Sequence, residues 1–416
     1  SIGITVGSSV LMAMAIGRRD IAEAERILGQ SFVLSAIAGA AFTTISLAFR
    51  HSLLAASGAT GGIMPLALEY FTVIAGGSML LFLLFPIFFA FNSQGDNKTV
   101  TLLFAVSTAI NAILDPLLIF GWAGFPALGI AGAAYATLFS QALVLAAGLI
   151  ILRKANMTVK LYFSRLGVRW ASVKKVLNIG FPAALTNVVG PLSLAALTAI
   201  IASRFREAGA ISFSIGFRAE FFAYLPAVGF GISALALLGQ NTGARRFDRV
   251  RSAYRLSLAL SFCAATLLGL LAAVFNRTII GIFTRDPVVT DYARAYFLSV
   301  TFSYGLFAVA FVEINSLQGI GRSWGGFLLS LLRAAVAVPA VYLLLLVLRL
   351  PLLNGWLAVA AVNLLMAAVG YRLVWGSLRS METQPSAWSE WSNIPEPQAV
   401  GAGTELEEPA AGRSPL

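Results

Sequence analysis

Long apolar runs separated by short polar breaks fill most of this 416-residue chain. Ten of the runs reach 22 to 30 residues, and about 20 residues are enough for a helix to cross a bilayer. The runs lack the alternation of period two that marks membrane β-strands, so the pattern predicts an all-α polytopic membrane protein. We predict a short helix over residues 1–16 and spans at about 28–49, 66–92, 99–121, 129–152, 177–202, 212–241, 253–275, 291–315, 325–348 and 356–378.

Similar polar segments recur at a nearly constant spacing. Gly17, in the segment AIGRRD, matches Gly243, in TGARRF, at an offset of 226. The loops NSQGDNKT and NSLQGIGRS match at an offset of 224, and PLALEY matches PVVTDY at 222. Six spans separate Gly17 from Gly243, so both copies of the loop face the same side of the membrane. The sequence therefore predicts a tandem duplication into two pseudo-symmetric six-helix lobes that form a parallel repeat.

The spacing between Gly17 and Gly243 also aligns Ser1 with Ala227, midway along the run 212–241. The second lobe starts one run earlier, at 177–202, so we expect the first helix and part of the second helix of the first lobe to be missing. The expected organisation is an incomplete N-terminal lobe over 1–152, a basic inter-lobe linker over 153–176, a C-terminal lobe over 177–382 and a disordered tail over 383–416. The tail is rich in glutamate and proline, which favours disorder.

Basic residues give the expected orientation. The net charge is +11, but the lysines and arginines lie in short loops and not on a soluble domain, which argues against a nucleic-acid partner. One alternating set of loops holds 19 of them and the other set holds seven. By the positive-inside rule the first set is cytoplasmic. We therefore expect a multi-pass protein of the inner (plasma) membrane, with the lipid bilayer around it and a cytoplasmic C-terminus.

The composition disfavours several kinds of chemistry. Hydrophobic residues make up 58% of the chain, and it contains one cysteine, Cys263, and one histidine, His51. These counts exclude a disulfide framework and argue against a zinc site or a histidine-based catalytic pair. No span contains a pair of acids with the spacing that a Mg²⁺-dependent transferase needs. We predict no enzyme activity, no metal other than Na⁺ and no cofactor.

An acidic side chain in the fifth helix of the first lobe is the best candidate for function. Asp115 lies about 24 Å along the span that begins at Thr99, because each helical residue adds about 1.5 Å. Ser107 and Asn111 precede it by eight and four residues, so the three share one helix face. Pro116 follows and permits a kink. A carboxylate beside other oxygen atoms on a bendable helix can bind H⁺ or Na⁺.

Four further ionisable residues in predicted spans are weaker candidates for function. Glu313 is two residues from the inner end of the span 291–315, and we predict an interfacial position for it. Arg333 lies about 12 Å deep and could pair with a carboxylate or extend towards the inner surface. Arg218 and Glu220 are two positions apart on one helix and do not face each other, so an ion pair between them is not expected.

Several segments resemble the multidrug and toxic compound extrusion (MATE) transporters. They are GQNTGARRFDR after FRAEFFAYLPAVGFGISA, the first-lobe copy AIGRRD, the loop FNSQGDNK, and NAILDPLLIFGW followed by GIAGAAYAT. The similarity covers residues 1 to about 380. It implies two six-helix lobes that export organic cations or other amphipathic small molecules by H⁺ or Na⁺ antiport, and we expect a monomer.

The resemblance also implies roles for particular residues. In one subgroup the cation site lies in the N-terminal lobe, and its Asn-x-x-x-Asp pattern matches Asn111 and Asp115. A threonine of the sixth helix, here Thr137, would join that site, whereas its partner aspartate on the first helix would belong to the missing segment. Glu220 and Arg218 lie in a motif that resembles the helix lining the family's cleft. The full set of substrate-cavity candidates is Glu220, Arg218, Asn187, Arg333, Met79 and Phe82.

Three alternatives stay open at this point. Related proteins with the same two-lobe plan move lipids or lipid-linked oligosaccharides, but a cavity for polyanionic headgroups should contain several deep cations. Here only Arg333 and Arg218 are candidates. An intramembrane transferase fits less well because its acidic cluster is lacking. A truncated chain could also be inactive.

Overall fold

The computed structural model describes residues 1–154, 157–162, 166–167 and 169–383. The remaining parts of the predicted linker, and residues 384–416 of the predicted tail, lie outside the described residues. The regular structure of the described part is helical. Its helices are α1 (Ile2–Gly17), α2 (Ile21–Ala48), α3 (Arg50–Ala56), α4 (Ile63–Ser93), α5 (Asn97–Phe120), α6 (Gly129–Leu152), α7 (Trp170–Gly243), α8 (Phe247–Val274), α9 (Asn276–Phe283), α10 (Pro287–Phe297), α11 (Tyr304–Gly319), α12 (Ser323–Tyr342) and α13 (Leu352–Thr383).

Within the described residues, nine helical segments are long and apolar enough to cross a membrane. One of them, α7, has 74 residues and contains both of the predicted spans 177–202 and 212–241. Its backbone leaves the helical region at Arg206, where φ is 53° and ψ is −150°. A residue of this type with positive φ is uncommon and marks a sharp change of direction. The multi-pass, all-helical membrane architecture predicted from the apolar runs is thus confirmed.

The two halves repeat the same unusual backbone conformations. Arg19 and Arg245, which are separated by the same spacing as Gly17 and Gly243, have φ values of 63° and 55°. Gly95 and Gly321 share this spacing as well, and their φ values are 83° and 82°. Each pair stands in the tight turn between two consecutive helices of its lobe. The duplicated loop motifs therefore encode duplicated turns.

Each half contains its own apolar core. In the first half, α1, α2, α4, α5 and α6 bury one cluster, which includes Leu28, Ile87, Phe91 and Val144. Val159 and Leu161, from the predicted linker, pack into this cluster. In the second half, Tyr296, Phe297 and Trp356 belong to the largest cluster, and Tyr254 and Leu378 to another.

The two halves meet along α1 and the two limbs of α7. Val6, Val10 and Met14 of α1 bury a common cluster with Ala183 and Leu235 of α7. Glycines allow this close approach. A Cβ atom added at Gly17 would collide with the backbone carbonyl of Gln240, and one added at Gly243 would collide with that of Met14. Met14 and Gln240 are themselves equivalent positions of the repeat, so the contact is pseudo-symmetric.

Side-chain hydrogen bonds also join the halves at this end. The Gln240 Nε2 group donates to the carbonyl oxygen of Ser93 at 2.5 Å, and the Asn97 Nδ2 group donates to Ser233 Oγ at 3.1 Å. All four residues lie close to the loops that carry most of the basic residues. The lobes are therefore held together on the side that the loop charges predict to be cytoplasmic.

Candidate functional site

Three of the four residues proposed for cation coupling are joined by hydrogen bonds. The Asn111 Nδ2 group donates to Asp115 Oδ1 at 3.4 Å and to Thr137 Oγ1 at 3.3 Å. Thr137 Oγ1 donates in turn to the carbonyl oxygen of Ala133, at 3.0 Å. Two turns of α5 and one turn of α6 thus converge on one partly buried polar cluster, which we call the first-lobe site.

Local helix geometry accounts for this arrangement. Asn111 and Asp115 are four residues apart on α5, so they lie one turn apart on one face. Pro116 lies inside α5, and the helix continues through it to Phe120. A proline has no N–H group and leaves one carbonyl of the preceding turn without its helical partner. Helix α5 is therefore weakened immediately beside Asp115.

The first-lobe site leaves several oxygen atoms available for a cation. Asn111 donates through its amide nitrogen, so its carbonyl oxygen and the second oxygen of Asp115 are not used by these bonds. Carboxylate and amide oxygens are suitable ligands for hard cations. Ser107 lies on the same helix face but forms no hydrogen bond with these residues in the described part of the chain. It is not brought into the cluster.

A second polar cluster lies within the other lobe. Tyr296 donates to Glu220 Oε2 at 2.5 Å, and Tyr304 is buried nearby in the same apolar core. The Nε and Nη2 groups of Arg333 donate to Asn363 Oδ1 at 3.3 and 3.2 Å. Asn363 Nδ2 donates to Ser303 Oγ at 3.0 Å. We call these residues the second-lobe cluster.

The other cavity candidates have separate surroundings. Arg218 does not pair with Glu220 and instead lies over the ring of Phe283, 5.6 Å from its centroid. The Asn187 Nδ2 group bonds to the carbonyl oxygen of Ala183 in its own helix, at 2.9 Å. Phe82 packs within the first lobe, where its ring centroid lies 5.5 Å from that of Phe42. Met79, on the same helix, is 38% exposed.

Glu313, for which an interfacial position was predicted, lies further inside its helix than the apolar run suggested. Its side chain is completely buried, and Tyr254 donates to its Oε1 atom at 3.5 Å. The apolar run suggested that the helix ends near residue 315, whereas α11 continues to Gly319. Asn315, Ser316 and Gln318 are polar but buried, because neighbouring helices cover them. Their polarity was misread as the end of the span.

Comparison with known proteins decides the family. The model of the MatE family matches residues 1–117 and 182–343, which is more than half of the chain. The chain belongs to the MatE family. It is accordingly a MATE transporter and a multi-pass membrane protein, as the resemblance in its loop motifs implied.

Curated relatives of this MATE transporter carry two kinds of name. An FAD transporter of Shewanella oneidensis is 30% identical, over 90% of this chain and 82% of the relative. The probable multidrug resistance protein YoeA of Bacillus subtilis is 26% identical over the same shares. The probable multidrug resistance protein NorM of Thermotoga maritima is 25% identical, over 86% of this chain and 77% of the relative.

Solved structures confirm the fold. A multidrug resistance MATE family transporter of the MOP superfamily, in an outward-facing conformation, superposes with a TM-score of 0.86 at 22% identity. The match covers 92% of this chain and 85% of that one. A MOP superfamily transporter from Pyrococcus furiosus, whose binding pocket is described as having reverse polarity, also superposes with a TM-score of 0.86 at 22% identity. The two-lobe helical fold of this MATE transporter is thus established.

Sequence reasoning missed most of the second-lobe cluster. Tyr296, Ser303 and Asn363 were not candidates, although each bonds to another member of the cluster. Their partners are 30 to 76 residues away in sequence. Single uncharged polar residues inside apolar runs are common, so the sequence offers no local signal for them. Glu220 and Arg333, two ionisable residues in predicted spans, were the available hints.

Proposed function

We propose that this MATE transporter is a secondary active exporter that binds its coupling cation, H⁺ or Na⁺, at the first-lobe site. One observation carries the proposal: the Asn111 amide bonds to both Asp115 and Thr137 and so links α5 to α6 around a carboxylate inside the membrane. An intramembrane carboxylate is costly and is retained mainly where it serves ion or proton transfer.

The proposed coupling acts through the shape of the first lobe. A proton on Asp115 removes its negative charge, and a sodium ion recruits its oxygen atoms. Either event changes the hydrogen bond between Asp115 and Asn111. This change shifts the equilibrium between two conformations of α5 near Pro116. A ligand shifts such a balance only when it binds the two shapes with different affinity. Here the difference in affinity between the two shapes comes from the contacts of the Asp115 carboxylate with the cation.

Export also requires the two lobes to part on the inner side. In the present structure Gly17 packs against Gln240 and Gly243 packs against Met14, and we propose that this end is the inner side. In the proposed cycle, the cation binds and the substrate is released on the outer side. These events alternate with a state in which the glycine contacts are separated. The parallel two-lobe arrangement suits this rocking motion.

We propose amphipathic small molecules as the substrates. The relatives are named for multidrug resistance and for FAD transport, and both classes combine an aromatic or apolar body with polar groups. The proposal places the protein as a monomer in the inner (plasma) membrane, with its C-terminus on the cytoplasmic side. The excess of Lys and Arg in the loops near that end supports this orientation.

The test uses inverted membrane vesicles that contain the full chain. A pH gradient and a Na⁺ gradient are imposed separately, and accumulation of a fluorescent amphipathic dye is followed. We expect one of the two gradients to drive accumulation in the parent protein and neither to do so in Asp115→Asn. Asp291→Asn removes an exposed carboxylate of α10 and serves as the matched control. Full accumulation by Asp115→Asn would overturn the proposal.

A further inference from the structure

The guanidinium group of Arg333 lies inside the second lobe without an acidic hydrogen-bond partner. Its Nε and Nη2 groups both donate to the neutral Asn363 Oδ1 atom, at 3.3 and 3.2 Å. No carboxylate of the described residues forms an ion pair with it. Its Nη1 group makes no hydrogen bond in the described part of the chain. Arg333 thus keeps donors and a positive charge available.

An aromatic surface lies directly beside this cation. The Arg333 guanidinium stands over the ring of Phe307, 5.0 Å from its centroid. Tyr224 continues the surface, with its centroid 6.1 Å from that of Phe307 and 5.1 Å from that of Phe311. All four side chains are partly buried and partly exposed, and Phe311 also packs against the core cluster of the second half. We call these four residues the arginine–aromatic patch.

Glu220, the acid of the second-lobe cluster, is held by a different partner. Among the described residues it forms no ion pair with Arg333, and Tyr296 donates to its Oε2 atom at 2.5 Å. The carboxylate is therefore engaged by a phenol and does not cover the guanidinium. A ligand anion would not have to break an existing ion pair to reach Arg333.

The arginine–aromatic patch and a pocket between the lobes share one stretch of α7. Tyr224 lies two residues before Pro226, which lines this inter-lobe pocket of about 340 Å³. Positions two apart point to different sides of a helix, so the patch and the pocket lie on different faces of α7. Gly229 and Ser233 of the same limb line this pocket, and Asn97 and Thr101 face them from the first lobe. A Cβ atom added at nearby Gly231 would lie 3.0 Å from the ring of Phe311. The same stretch of α7 thus contributes both to the patch and to the pocket.

We infer that the arginine–aromatic patch binds the anionic group of a planar aromatic substrate. Arg333 would donate to a phosphate or carboxylate, for which its planar fork is suited, and the rings of Phe307 and Tyr224 would stack on the aromatic part. The inference rests on the proposed function, since it assigns a substrate class to the same transporter. It departs from the expectation of organic cations, because the ionised group that the patch offers is itself a cation, Arg333, which attracts anions.

Binding of matched flavins tests the inference. Flavin mononucleotide and riboflavin share one ring system and differ by a phosphate, and quenching of their fluorescence by the detergent-purified full chain reports affinity. We expect flavin mononucleotide to bind about tenfold or more tightly than riboflavin, because hydrogen bonds to charged groups are the stronger ones. Equal affinities for the two flavins in the parent protein would overturn the inference without any variant.

Variants separate the roles of charge and ring. Arg333→Gln should abolish the preference for the phosphorylated flavin and leave riboflavin affinity nearly unchanged. Phe307→Leu should weaken both flavins by a similar factor. Arg255→Gln is the matched control, since Arg255 also stands 5.0 Å from a ring centroid, that of Trp375, but lies on the inner face outside the patch. A preference that survives Arg333→Gln would contradict the inference.

Two further measurements keep the result decisive. If Arg333→Gln elutes as an aggregate, Arg333→Lys keeps the charge but loses the planar fork, and the preference should fall without disappearing. The planar cation ethidium should bind more weakly than flavin mononucleotide, and the opposite order would count against the inference.

Failure of this inference can be distinguished from failure of the proposed function, because flavin binding needs no gradient. Asp115→Asn should therefore lose gradient-driven efflux while keeping the preference for flavin mononucleotide.

Discussion

At the scale of single residues, Thr137 is both donor and acceptor in the first-lobe site. It accepts a hydrogen bond from Asn111 and donates one to the carbonyl oxygen of Ala133. Thr137→Ser keeps the hydroxyl, whereas Thr137→Val keeps the shape and removes it. We expect Thr137→Val to reduce the initial rate of gradient-driven efflux about tenfold, because Asn111 loses a partner. Thr137→Ser should stay near the parent rate, and equal rates for the two variants would argue against a role for the hydroxyl.

A second residue-scale prediction concerns stability at Glu313. This carboxyl group is fully buried, its Oε1 atom accepts from Tyr254, and its Oε2 atom has no hydrogen-bond partner in the described part of the chain. Tyr254→Phe removes this donor. We expect a loss of about 1–3 kcal/mol of stability, seen as a lower midpoint of thermal unfolding in detergent.

Tyr371→Phe provides the control for that experiment. Tyr371 stacks on Tyr254 with ring centroids 6.2 Å apart, but the residue is 42% exposed, and its hydroxyl is not the donor to Glu313. Its midpoint should stay close to that of the parent protein. If Tyr254→Phe melts at the same temperature as Tyr371→Phe, the hydrogen bond to Glu313 does not stabilise the fold.

The two residues show what the sequence could and could not supply. The i, i+4 spacing and the family resemblance indicated Asn111, Asp115 and Thr137 as one cluster, and the structure joins them by hydrogen bonds. Their role in coupling stays a prediction. The burial of Glu313 depends on helices that pack against α11 from elsewhere in the chain. Hydropathy along one segment carries no information on such neighbours.

At the scale of helices, the glycine contacts between α1 and α7 determine how closely the lobes approach. A methyl group at Gly243 would collide with the backbone carbonyl of Met14, which cannot move without displacing α1. We expect Gly243→Ala to separate the lobes on the side that the loop charges predict to be cytoplasmic. In a Cys263→Ser background with Ser233→Cys, maleimide labelling of the new cysteine should become several-fold faster, since Ser233 bonds to Asn97 across the contact.

Gly190→Ala is the matched control for this prediction. Gly190 also lies in α7, but an added Cβ atom would meet nothing within 4 Å. Alanine there should leave the labelling rate unchanged and favour the helix slightly, by up to about 1 kcal/mol. Equal labelling in Gly243→Ala and Gly190→Ala would show that the glycine contact does not control the inner opening.

Helix positions were largely predictable from the apolar runs, and the exceptions have physical causes. The predicted span 129–152 coincides with α6. The span 291–315 is divided into α10 and α11 by a short 3₁₀ turn at Thr301–Ser303. The short helices α3 and α9 were not predicted, because seven or eight residues do not establish a helical period. These features depend on packing more than on local composition.

At the scale of the whole molecule, the repeat was visible in the sequence because the turns need the same backbone conformations in both lobes. The chemistry inside the lobes is not repeated. The first lobe contains the Asn111–Asp115–Thr137 site, whereas the second contains an arginine with an amide partner and a glutamate bonded to a tyrosine. A symmetric scaffold with unlike sites suits a transporter in which one lobe binds the coupling cation and the other contributes to substrate recognition.

The central claim is that Asp115 links transport to the cation gradient and is not needed for movement of substrate itself. Proteoliposomes that contain Asp115→Asn test this most directly, by comparing gradient-driven accumulation of substrate with gradient-free exchange of labelled for unlabelled substrate. We predict that accumulation against the concentration gradient is lost while exchange persists at about the parent rate. Accumulation at the parent level, or loss of exchange together with accumulation in a correctly folded variant, would contradict this account.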